Sequence, residues 1–195
     1  MMNFKAAEEY LVKRFEKDLD KRLHYHNLSH SQDVCQSAQR LAEIEGVPEE
    51  EMILVLTASV YHDAGFLFRY INNENYAVKF TREALPQFGY NEQEIELVCG
   101  MILATRMPQE PLTIFEKIVC DADLDYMGRD DFFMVAMKLF QEMNEFGFRM
   151  TLSEWFALQL EFVEKHRYFS HAAIALRRNK KMEHLTQIKE LLCVK

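Results

Sequence analysis

A chain of 195 residues with 49% hydrophobic and 28% charged side chains can bury one substantial core and has no bias toward disorder. Its 6 glycines and 4 prolines are too few for the tight turns of an all-β fold, and a net charge of -8 excludes a general nucleic-acid binder, which needs a basic footprint. No apolar run approaches the roughly 20 residues of a membrane span, and the charged start "MMNFKAAEEYLVKRF" does not fit a signal peptide, so a cytoplasmic protein is expected.

Helix punctuation runs along the chain. Ser29 or Ser31 can cap a helix that continues to Glu45 and closes at Gly46. Pro48 opens the next at a first-turn position. Its sequence, "EEEMILVLTASVYHDAG", is apolar on nearly all sides from Met52 to Tyr61, as expected of the buried centre of a domain. Asn72 or Asn73 starts a helix ending near "LPQFG". Asn91 with Glu94 reads as a capping box for a helix reaching about Thr105. A loop, "RMPQEP", precedes the helix that carries "CDADLDYMG". Further helices are expected over about residues 130–146, over 151–168 behind a Thr151–Glu154 capping box, and along the C-terminal tail. The chain therefore reads as an all-α, single-domain helical bundle with a buried central helix.

Two other features read as structural. Cys35, Cys99, Cys120 and Cys193 are widely spaced, and three sit in apolar helical patterns, so reduced core thiols are expected rather than disulfides or a zinc site. The basic run "RRNKK" is either a solvated helix end or a phosphate-facing patch.

Polar residues that break the apolar pattern carry the chemistry. His62 and Asp63 end the most hydrophobic helix, where an imidazole and a carboxylate are costly unless paired or bound to metal. His30, in "YHNLSH", shares a stripe with Val34, Ala38 and Leu41 and should point inward. "DADLDYMG" adds Asp121, Asp123 and Asp125, and periodicity does not say which of them faces the core. His30, His62, Asp63 and one of these aspartates would make a set of two nitrogens and two oxygens. That set suits manganese, iron, cobalt, nickel or zinc.

A histidine, a later His-Asp pair and a still later aspartate, in this order and helical context, resemble the HD-domain phosphohydrolase superfamily. The match spans residues 25–125, with the C-terminal helices over about 130–195 completing the one domain. "ADL" is similar to the aspartate element of that superfamily, including its cyclic-nucleotide phosphodiesterases, and implies Asp123 as the ligand. Those enzymes also carry a segment similar to "YHNLSH". The resemblance implies that His30 binds metal and that His26 donates a proton. "NNENYA", "ILATRMP" and "DADLDYMGRDDF" resemble a bacterial subgroup of small, stand-alone HD proteins.

Cyclic-nucleotide phosphodiesterases place an acidic residue and a histidine just after their His-Asp pair, where this chain has Ala64, Gly65 and Phe66. Dinuclear relatives bring further histidines where this chain offers Asn73, Glu74, Thr105 and Arg106. One tightly held divalent ion is therefore implied, with any second ion, such as magnesium, held weakly through Asp63 and water. The implied reaction is hydrolysis of a small, nucleotide-like phosphate ester, mono- or diester, with no nucleic-acid polymer and no membrane as partner. Asp63 would orient the attacking water, His26 protonate the leaving group, and Glu74 serve as a second orienter or base. Arg69, Arg106 and Arg129 would clamp phosphate oxygens. The alternative is an inactive HD module that binds a nucleotide or a protein partner. His166 falls on a stripe with Trp155, Phe162 and Val163 and reads as core packing.

Overall fold

The computed structural model describes residues 1–193, and all regular elements among them are helical. In order they are α1 (Phe4–Asp18), α2 (Leu28–Glu45), α3 (Glu49–Tyr61), α4 (Asn73–Ala84), α5 (Glu92–Ala104), α6 (Ile114–Asp123), α7 (Phe132–Glu145), α8 (Leu152–Lys165) and α9 (His171–Cys193). Short 3-10 turns follow α3 (Ala64–Leu67), α4 (Leu85–Phe88) and α6 (Asp125–Gly128).

Local chemistry sets most boundaries. Complete capping boxes open α5 (Asn91, Glu94) and α8 (Thr151, Glu154), and a third (Thr113, Glu116), not anticipated above, opens α6. α2 begins earlier than expected: its cap is Asn27, not Ser29 or Ser31. The Asn27 Oδ1 accepts the Ser29 N–H at 3.0 Å, while its Nδ2 donates to the Leu23 and His24 carbonyls at 3.1 and 2.9 Å. Gly46, left-handed at φ 73, closes this helix. Pro48 sits one place before the first turn, as the cap of α3. Asn72 takes the left-handed region at φ 57, and Asn73 is the first residue of α4. α6 stops at Asp123, so "DYMG" (Asp125–Gly128) forms a 3-10 turn after Leu124 rather than continuing the helix. α8 ends at Lys165 instead of Tyr168, because His166 turns to extended backbone at ψ 142.

α3 occupies the centre, packed against α1, α2, α5 and α6. Two of its buried hydroxyls are satisfied by their own helix, Thr57 Oγ1 donating to the Ile53 carbonyl at 2.6 Å and Ser59 Oγ to that of Val55 at 2.8 Å, while the Tyr61 hydroxyl donates to the Ala7 carbonyl of α1 at 2.7 Å. The main core joins α1 to α6 with the start of α9. A second, containing Tyr25, Leu124, Tyr126, Phe132, Val163 and Ile188, ties α7, α8 and α9 to the loop before α2. Gly65 lets α4 begin directly against the turn after α3, since a Cβ there would stand 1.8 Å from the Asn73 carbonyl oxygen. That contact brings Asn73 and Glu74 beside the end of α3.

The basic run over residues 177–181 is not a solvated helix end, because it lies inside α9. Arg177 donates to both oxygens of Asp125 at 2.6 and 2.9 Å, and buried Lys181 donates to the His166 carbonyl at 2.6 Å. All four cysteines are free; Cys99 and Cys120 are buried, Cys35 is half-buried and Cys193 exposed.

Candidate active site

His30 stands in the first turn of α2, His62 and Asp63 at the end of α3, and Asp123 at the end of α6. The three helix ends meet. His30 Nε2 lies 3.2 Å from Asp123 Oδ1 and 3.4 Å from Asp63 Oδ2, and His62 Nε2 lies 3.5 and 3.2 Å from the same two oxygens. The ring orientation of His62 is fixed from behind, since its Nδ1 donates to the Ser59 carbonyl at 2.7 Å. That bond commits the neutral ring to a tautomer whose Nε2 lone pair faces the cluster.

The donors fit a divalent transition ion. His30 Nε2, His62 Nε2 and Asp63 Oδ2 are buried and have no hydrogen-bond partner among the described residues. Three such atoms aimed at one point are costly in a closed interior unless one cation satisfies them together. Ligand atoms of His30, His62 and Asp123 all lie within 4.8 Å of one another. Burial would raise the Asp63 and Asp123 carboxyls, but the neighbouring histidines outweigh it and hold both below their ordinary values.

The other two aspartates of "DADLD" point elsewhere. Asp121, fully buried, accepts from the Phe169 N–H, the Ser170 N–H and the Ser170 hydroxyl at 2.9, 2.7 and 2.6 Å, anchoring the start of α9. Asp125 takes Arg177 and, at 3.1 Å, the Ser37 hydroxyl.

A cavity of about 540 Å³ adjoins the cluster, lined in part by His26, Asp63, Glu74, Tyr126, Trp155 and Phe162. His26 stacks on Phe66 with ring centroids 4.2 Å apart, and its Nδ1 is paired with Glu142. Glu142 is fully buried and also accepts the Tyr25 and His26 backbone N–H groups at 2.9 and 3.0 Å. Burial alone would depress the His26 imidazole, but the Asp63 and Glu142 carboxylates raise it above its ordinary value. Sequence reasoning missed Glu142, although a signal existed: it is a charged residue on the α7 stripe that carries Leu139 and Phe146.

Of the three arginines expected to clamp phosphate, Arg106 alone approaches the cavity lining, with Nε 3.8 Å from Glu74. Arg129 is spent on Asp33 and Asp131 at 2.7 and 2.9 Å, in a separate cleft. Arg69 is drawn out to Tyr76, whose hydroxyl lies 3.2 Å from its Nη1. His166 is the C-terminal cap of α8, and its half-buried ring packs against Phe162 and, with centroids 4.7 Å apart, Tyr168, with Nε2 buried.

The HD domain family matches residues 27–127, more than half of the chain. A protein of Clostridium beijerinckii, described only as uncharacterized, is 34% identical over 99 residues, which span 48% of this chain and 60% of that protein. The structure of a Lactobacillus plantarum protein superposes with a TM-score of 0.70 at 17% identity over 100% of both chains. That of a predicted HD superfamily hydrolase from an uncultured Thermotogales bacterium gives 0.63 at 18% identity over 96% of this chain and 90% of the other. At these identities the two structures establish the fold alone.

Proposed function

The chain belongs to the HD domain family, and from that premise we propose that it hydrolyses a small phosphate ester of nucleotide type, with one divalent ion held by His30, His62, Asp63 and Asp123. The observation that carries this reading is the convergence of three partnerless buried ligand atoms beside a cavity that also holds His26. An ion bound there supplies Lewis-acid polarisation of a phosphoryl oxygen and makes water a usable nucleophile near neutral pH.

The side chains supply the rest. Asp63 accepts a hydrogen bond from the attacking water and aligns it with phosphorus. As the ester P–O bond breaks, the leaving oxygen takes a proton from His26 Nε2, while Glu142 at Nδ1 holds the ring in place and stabilises its protonated form. Glu74 lines the same cavity and acts in this reading as a further orienting group or base. Arg106 lies close enough to Glu74 to lend positive charge at the entrance.

The test is a panel of nucleoside monophosphates, cyclic nucleotides and sugar phosphates, each with added manganese, cobalt, nickel, zinc or magnesium. Elemental analysis should find close to one transition ion per chain. At one hundred times Kd, the ion should stabilise the fold by about 2.7 kcal/mol, visible as a rise in Tm. Finding no bound metal, together with no thermal shift on adding any of these ions, would overturn the site. A metal-replete protein that turns over nothing would favour a module that only binds a nucleotide or a protein partner.

A further inference from the structure

α8 sets two polar groups into an otherwise largely apolar wall of the site cavity. Trp155 is fully buried and lines that cavity, and its Nε1 has no hydrogen-bond partner among the described residues. One turn on, Gln159 lines it too, 4% exposed, with Oε1 equally without a partner among the described residues. The spacing of four places both on one face of the helix. Leu139, Leu158 and Phe162 line the same cavity.

Outside the metal cluster, the cavity lining holds three buried side-chain atoms without a partner among the described residues, Asn73 Oδ1, Trp155 Nε1 and Gln159 Oε1, and the last two share one face of one helix, an arrangement that calls for a ligand there. An indole N–H only donates, whereas a carboxamide both accepts and donates. A purely aliphatic ligand would leave both unpaired. A sugar would use the polar groups but gain little from Phe162 and its apolar neighbours. A flat heteroaromatic ring with acceptors and donors along its edge uses the whole wall.

We infer that Trp155 and Gln159 form a recognition subsite for the base of a nucleotide whose phosphate lies at the His30–His62–Asp63–Asp123 cluster. The placement of the phosphate rests on the hydrolase reading above. Trp155 donates to a ring acceptor, Gln159 pairs with the adjacent edge, and Phe162 packs against the ring. These residues then set which leaving group is held while the metal-binding end stays indifferent to it.

Trp155 is the only tryptophan in the chain, so its emission reports on this wall directly. Adenosine, guanosine, cytidine and uridine 5′-monophosphates, titrated into the intact protein, should include at least one that changes the emission saturably. Ribose 5-phosphate should not. An equal response to ribose 5-phosphate, or none to any nucleotide, overturns the subsite. In hydrolysis, Trp155→Phe and Gln159→Leu should each lower the ratio of kcat/KM for the preferred nucleotide to that for ribose 5-phosphate, by about tenfold. Unchanged ratios in both variants also overturn it. A metal-replete protein that binds nucleotides through this wall but hydrolyses no ester overturns the hydrolase reading alone. One that hydrolyses every ester without discrimination overturns the subsite alone.

Discussion

Asp121 and Asp123 are two residues apart and serve different parts of the molecule. Asp123 reaches toward His30 and His62, while Asp121 holds the backbone and hydroxyl donors that open α9. Asp123→Asn should remain folded and lose the metal, measured by elemental analysis. Asp121→Ala should keep the metal but lose about 3 kcal/mol in urea unfolding, because two buried N–H groups are left without acceptors. Metal loss in the Asp121 variant alone would mean that the ligand assignment is wrong. His26 and Glu142 separate in a second way. His26→Ala should slow hydrolysis of an ester with an alkoxide leaving group by about 10²–10⁴-fold, with a much smaller deficit on a nitrophenyl ester, which departs without a proton. Glu142→Gln should show the same leaving-group dependence in weaker form. Equal losses on both esters would leave His26 a positioning residue only.

The elements depend on a few close approaches. Gly65 is one, because the atom that an added Cβ would meet is backbone, the Asn73 carbonyl, and cannot rotate away. Gly65→Ala should therefore displace the start of α4, costing about 3 kcal/mol and weakening metal affinity as Asn73 and Glu74 shift. Gly46→Ala makes the contrast. Its φ of 73 is unfavourable to alanine, yet nothing stands within 4 Å of the added Cβ, so about 1 kcal/mol is expected with metal affinity unaffected. Thermal melts and metal titrations of the two variants, side by side, distinguish a packing constraint at the site from an ordinary helix stop. Similar losses in both would count against the α4 contact.

At the scale of the whole molecule, the end of α8 is locked to α9 through His166 and Lys181. The His166 imidazole is pulled down to about 3 from 6.5 by burial first, then by the charges of Lys181 and Arg167. Between those two values the unfolded chain binds the proton and the folded chain does not. Stability from this group is thus complete above pH 6.5 and is lost as pH falls toward 3. The slope is at most about 1.4 kcal/mol per pH unit. Burial also lowers Lys181, to about 8, so its proton is held against the same low-polarity surroundings. Urea unfolding at pH 7 and pH 5 should show wild type losing more stability than His166→Gln. Equal losses would mean that His166 titrates normally in the fold.

The helices were legible from the chain alone, because capping and apolar periodicity act within a few residues. Asn91, Thr151 and the apolar run after Pro48 were legible for that reason, and Asn27 was misread only because two nearby serines offered the same chemistry. The sequence also marked His30, His62 and Asp63 as polar groups in apolar stretches, and the family resemblance proposed Asp123. Tertiary structure alone decided what lies across long separations. Glu142 reaches the Tyr25 N–H over 117 residues of chain, Asp121 and Asp125 turn to α9, and Arg129 is neutralised by Asp33. Trp155 and Gln159 could be placed on one stripe from spacing, but that they border the metal-binding end could not. Spacing along a helix tells which residues share a face, and only packing between helices tells what that face meets.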